Sequence, residues 1–130
     1  MEEYFKYLGY DVSHEDQSDY DLIIQGKKIE VKTKRTTVKP EKDFLCSVAN
    51  FNASQDADYY FFVRIDESYR IGYMLGYYPV EKFKEDSFFK KAGEKDINGW
   101  TFKKDCYNLK IEQLIPFKAT KVESSRNNVA

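Results

Sequence analysis

The sequence predicts an α/β domain, with a mixed central β-sheet flanked by about three short helices. Three observations carry that prediction. Residues 18–35, SDYDLIIQGKKIEVKTKR, hold two alternating runs separated by Gly26-Lys27, the pattern of a tight hairpin. Residues 58–65, DYYFFVRI, are apolar on both strand faces, which suits a central strand covered on both sides. Pro79 heads the run PVEKFKE, and its preset φ suits a first helical position, so a helix is expected over Pro79–Glu85.

The remaining elements follow in chain order. Glu2–Leu8 reads as a short helix, with Tyr4, Phe5 and Leu8 facing the core and Gly9 suited to its C-terminal cap. Tyr10–Val12 reads as a short edge strand, and residues 14–19 as a polar loop holding the only histidine, His14. Residues 34–42 form the densest basic stretch, and Pro40 with Thr36 and Thr37 favours an extended loop there. Ser47 suits the N-cap of a helix running to Gln55. Asp66-Glu67-Ser68 is a turn, and Tyr69–Tyr77 returns as a partner of the 58–65 strand. Asn98-Gly99 is another turn, Trp100–Lys103 a short strand, Asp105–Ile111 a further strand, and Glu112–Leu114 a helical turn before Pro116. Residues 1–119 are read as one domain, and the polar segment 120–130 as a flexible tail.

With Gly26 and Lys27 as the turn, Ile24 faces Ile29, Ile23 faces Glu30, Leu22 faces Val31 and Asp21 faces Lys32. Side chains alternate across a strand, so Leu22, Ile24, Ile29 and Val31 share an apolar face. Asp21, Glu30 and Lys32 then share the other face. Two carboxylates beside an ammonium suit a hard divalent cation, which prefers oxygen ligands. Such a cation can polarise a phosphodiester and acidify a bound water. Lys32 could serve the water or the charge developing on phosphate. An ordinary hairpin with one solvated, charged face would show the same alternation.

Composition narrows the class. The chain is 42% hydrophobic and 17% aromatic, which argues against disorder, and its net charge of −1 excludes a polycation. A nucleic-acid binder would then work through a local patch. Lys34, Arg35, Lys39 and Lys42 are the candidates for such a patch, placed directly after Lys32. Trp100 and the tyrosines could stack on bases, although such rings more often fill a core or its rim. Cys46 and Cys106 have no metal-ligand spacing and suit buried thiols of an intracellular, cytoplasmic protein. The start of the chain, Met1 followed by two glutamates, is unlike a signal peptide.

Asp21, followed by Glu30-Val31-Lys32 on the next strand, resembles the PD-(D/E)xK nuclease superfamily. Tyr20 stands where that motif often has proline. The passages ADYYFFVRI and GYMLGYYPVEKF also look like small phage-type members of the superfamily. The resemblance implies a restriction-endonuclease-like fold and an endonuclease that hydrolyses DNA with Mg2+ or Mn2+. It makes Asp21 and Glu30 metal ligands and Lys32 the catalytic lysine. It offers Glu3, on the first helix, as a third acid, although Glu2 and Glu3 also suit the positive end of a helix dipole. It offers Gln55 as a supporting residue. Asp19, whose alternation matches Asp21, is an alternative to Asp21 that could support the metal at the mouth. Because one site cuts one strand, a homodimer is expected for cutting both. Two other readings stay open: a catalytically inactive nucleic-acid-binding module on the same fold, and a small protein-interaction domain.

Overall fold

The computed structural model describes residues 6, 7, 9, 12–14, 22–49, 57–96 and 99–117. Strands dominate. A five-stranded sheet has the order β1-β2-β3-β5-β6, built from β1 (Val12–His14), β2 (Leu22–Ile24), β3 (Lys27–Arg35), β5 (Tyr59–Asp66) and β6 (Ile71–Pro79). A second, three-stranded sheet has the order β4-β8-β7, from β4 (Leu45–Ala49), β7 (Phe88–Lys90) and β8 (Cys106–Lys110). Between β6 and β7 lies α1 (Val80–Asp86), and a 3-10 turn spans Ile111–Gln113. The domain is therefore mixed α/β as expected, but with two sheets instead of one. Among the described residues α1 is the one complete helix, where about three were expected. No described helix is long and apolar enough to cross a membrane.

Near the start, Lys6 and Tyr7 are helical, and Gly9 has φ 98 with its N–H donating to the Lys6 carbonyl at 3.0 Å. That is the left-handed helix end that glycine favours. Strand β1 runs on to His14, beyond the expected end at Val12.

The hairpin forms, with a corrected turn. Its central residues are Gln25 and Gly26, with φ 52 and 79, not Gly26 and Lys27. Two consecutive positive φ values match the right-handed twist of the flanking strands, and glycine supplies the second at no steric cost. The register moves accordingly: Leu22 pairs Ile29, Ile23 pairs Lys28 and Ile24 pairs Lys27. Each β2 residue thus meets a partner two positions earlier than expected. An even slip preserves the faces, and Leu22, Ile24 and Ile29 still bury together.

Strand β5 is central, as its two apolar faces predicted. It pairs β3 in parallel and β6 antiparallel. Asp58 secures the parallel register: its carboxylate accepts from the Lys28 N–H at 2.7 Å, its N–H donates to the Lys28 carbonyl, and its carbonyl accepts from Val80 at the start of α1. Tyr60 and Phe62 point into one core with Cys46, Val48, Val80, Phe83, Leu109 and Leu114. Phe61 and Val63 point into the other, with Leu22, Ile24 and Ile29. Pro79 sits at the N-cap of α1 instead of its first turn, and Val80 and Phe83 bury the inner face of the helix.

Residues 45–49 are a strand, not the helix start expected at Ser47. The inward pair Cys46 and Val48 follows the period of two, opposite Leu109 and Tyr107. Ser47 donates across to the Asn108 side chain instead of capping a helix. The remainder of that expected helix lies outside the described residues.

Register in β5–β6 shifts between Phe62 and Val63, leaving Leu75 as the extra residue of a bulge. Next to it, Gly76 has φ 142, and a Cβ there would lie 2.7 Å from the Ile115 carbonyl oxygen. That carbonyl accepts from Tyr77 at 3.0 Å, and Ile115 donates back at 3.0 Å. Gly76→Ala should therefore lower stability by about 1–3 kcal/mol, through crowding and backbone strain together. A urea melt with an unchanged midpoint would contradict this.

Candidate functional site

Glu30 and Lys32 stand on one face of β3 because they are two residues apart on a strand. In the parallel register Glu30 lies beside Tyr60, Lys32 beside Phe62 and Lys34 beside Arg64. Glu30 is 8% exposed, and its Oε2 lies 3.5 Å from the Lys32 Nζ. The ammonium also sits 5.6 Å from the Tyr60 ring centre. Burial, and then the Glu30 charge, push the Tyr60 phenol up to about 12, so it stays neutral at ordinary pH.

A carboxylate–ammonium pair with its acid buried and its lysine partly so is poor material for stability alone. Desolvating both charges costs several kcal/mol, and apolar replacements of similar volume are often as stable or more so. Its position beside a cleft makes it a candidate functional group.

The cleft is there. A cavity of about 600 Å3 opens between the two sheets, lined by Lys32, Lys34, Arg64, Lys103 and Lys104, with Trp100 and Phe102 on its wall. No carboxylate is among the described residues lining it. Arg64 is held in place by donating to the Leu45 carbonyl at 3.0 Å and lies 5.1 Å from the Phe44 ring. The Lys34 ammonium lies 4.6 Å from the Trp100 ring centre. Burial, and then the neighbouring Arg64 charge, lower the Lys34 pKa below its ordinary value. Arg64 is lowered by burial as well. An anion in the cleft would relieve both groups.

Of the basic residues singled out in the sequence, Lys34 lines the cleft. Strand β3 continues through Arg35, so the extended loop starts later than expected. Arg35, with a side chain 85% exposed, pairs through Nε with Glu67 at 2.8 Å. Lys39 and Lys42 are exposed in the β3–β4 connection and do not line the cleft. The Thr36 hydroxyl donates to the Val38 carbonyl. The other cleft cations, Arg64, Lys103 and Lys104, were missed. Arg64 left a signal, as the one charge inside the apolar run Tyr59–Ile65.

Asp21, Asp19, Glu3 and Gln55 lie outside the described residues. The expected pairing of Asp21 with Lys32 rested on the register that the described pairs correct. Among the described residues no three His, Cys, Asp or Glu groups gather as a metal site. Glu30 by itself suits one ligand position for a hard cation, as a buried oxygen donor whose Lys32 partner would have to swing aside to admit the ion. No known protein family, characterised protein or solved structure matches the chain.

Proposed function

We propose that this protein is a metal-dependent DNA endonuclease of the restriction-endonuclease-like type, resembling the PD-(D/E)xK superfamily. One observation carries the reading: Lys32 reaches the buried Glu30 carboxylate at 3.5 Å and also lines the cationic cleft. The acid suited to a metal and the surface suited to phosphate thus meet at one side chain. The adjacent antiparallel strands β2 and β3, within a mixed sheet, are the setting that the resemblance implies.

In this mechanism Glu30, with Asp21, would hold Mg2+ or Mn2+. A bound cation would supply a polarised phosphoryl oxygen and a more acidic water. Lys32 offsets the negative charge that grows on the phosphoryl oxygens. The neutral Tyr60 phenol and the apolar floor beneath β3 keep bulk water away from Glu30. The cleft cations hold the backbone phosphates on either side. One such site cuts one strand, so cleavage of a duplex requires a homodimer or two successive events.

Supercoiled plasmid tests this. Nicked or linear product is expected with Mg2+ or Mn2+, and none with EDTA or with Ca2+ alone. Cutting that persists in EDTA would overturn the metal-dependent mechanism. Binding without cutting under every metal would select the inactive binding module, which the cleft also favours.

A further inference from the structure

The 600 Å3 cleft has a neighbour. A second cavity, of about 380 Å3, opens beside it, lined in part by Arg35, Thr36, Thr37 and Asp96. The two share four wall residues: Lys34, Leu45, Arg64 and Trp100. Both lie toward the C-terminal ends of the parallel pair β3–β5, where ligands of parallel sheets commonly bind. Each has the size of a small-ligand pocket. Trp100 stands between them, 43% exposed, its ring braced edge-to-face by Phe102 at 4.7 Å.

We propose that the two cavities form a track for an unpaired stretch of DNA, with one base stacked on Trp100 and the flanking phosphates held by Lys34, Arg64, Lys103 and Lys104. The choice of DNA rests on the nuclease reading, but the binding chemistry uses neither Glu30 nor a metal. A basic groove interrupted by an aromatic platform is the recurring solution for single strands, because every base has a face that can stack. A duplex keeps its bases stacked on each other and offers none to a protein ring. The acid count points the same way. Asp96 lines the smaller cavity, whereas the larger has no carboxylate among its described lining residues, so the stronger phosphate site is the larger one. The Lys34 ammonium now covers the Trp100 ring. An arriving base takes that place, and the ammonium moves to a phosphate.

Trp100 is the only tryptophan in the chain, so its emission reports on the track directly. The full-length protein, in EDTA to prevent cutting, is titrated with oligo-dT of eight nucleotides and separately with a blunt hairpin duplex of equal phosphate count. Saturable quenching by the single strand is expected, with affinity about tenfold or more above that for the duplex. Four phosphate contacts to a single strand give a log–log salt slope of roughly −3. The double variant Lys103→Ala/Lys104→Ala, altered at two exposed positions, should weaken binding about tenfold and flatten that slope. By anisotropy of labelled oligo-dT, Trp100→Leu should lose about tenfold in affinity, and Trp100→Phe should restore most of it. Equal affinity for duplex and single strand overturns the track, as does binding that leaves Trp100 emission unchanged. Plasmid cutting without quenching would sink the track and keep the nuclease. Quenching without cutting under any metal would do the reverse.

Discussion

Lys32→Ala should slow plasmid cutting by about 10²–10³-fold, the usual loss when one pre-placed charge is removed from a developing oxyanion. Glu30→Gln should cost at least as much, because an amide oxygen lacks the negative charge with which a carboxylate holds Mg2+. The two losses should not add. Both side chains serve one centre at 3.5 Å, so the double variant should be about as slow as the worse single one. Initial nicking rates with Mg2+ measure this. Circular dichroism and urea midpoints show that folding is kept. Replacing a buried ion pair by apolar groups is often neutral for stability, so Glu30→Met/Lys32→Met should fold and not cut. Parent-like rates in Glu30→Gln and Lys32→Ala would leave the pair a structural one and end the catalytic reading.

Phe83→Ala should destabilise the domain by about 3–5 kcal/mol, the range for a large aromatic removed from a closed core. Phe83 is 1% exposed and is how α1 grips the main sheet. Its ring lies 5.2 Å from Tyr60, 5.9 Å from Phe62 and 6.4 Å from Tyr78, and each such pair contributes beyond area alone. A melting temperature lower by roughly 10–20 °C follows for a chain of this size. Because Tyr60 and Phe62 flank the Glu30–Lys32 pair in register, loss of the ring should also loosen the floor of the site. A loss under about 1 kcal/mol in urea would show that α1 contributes little to the core.

The hairpin faces were legible because an alternating pattern tolerates an even slip. The turn itself was not, since nothing in the identity of Gln25 announces a left-handed conformation. Strand β5 was legible from its double apolar face, and the β5–β6 return from the turn residues between them. Strand β4 was misread because Ser47 is equally good as a helix cap and as a cross-strand donor, and only its partner Asn108 decides. That partner is distant in sequence, so the pairing of β4 with β8 could not be read locally, although β8 itself was expected as a strand over Asp105–Ile111. The same distance hid the cleft. Glu30 and Lys32 are two positions apart and were found, whereas Arg64, Trp100, Lys103 and Lys104 reach the hollow beside Lys32 from remote segments. Asp21 was read by the same local logic as Glu30 and stands outside the described residues.

The contact between Ser47 and Asn108 joins positions 61 apart in the chain. Closing so long a loop costs entropy before any packing offsets it. The wall that carries Trp100, Lys103 and Lys104 faces the β3–β5 ends only when β8 has docked against β4. The same docking completes the core beneath Glu30 and Lys32, because Leu109 of β8 packs with their register neighbours Tyr60 and Phe62. The acid–lysine pair and the basic wall therefore hang on one long-range closure, and neither has its final surroundings without it.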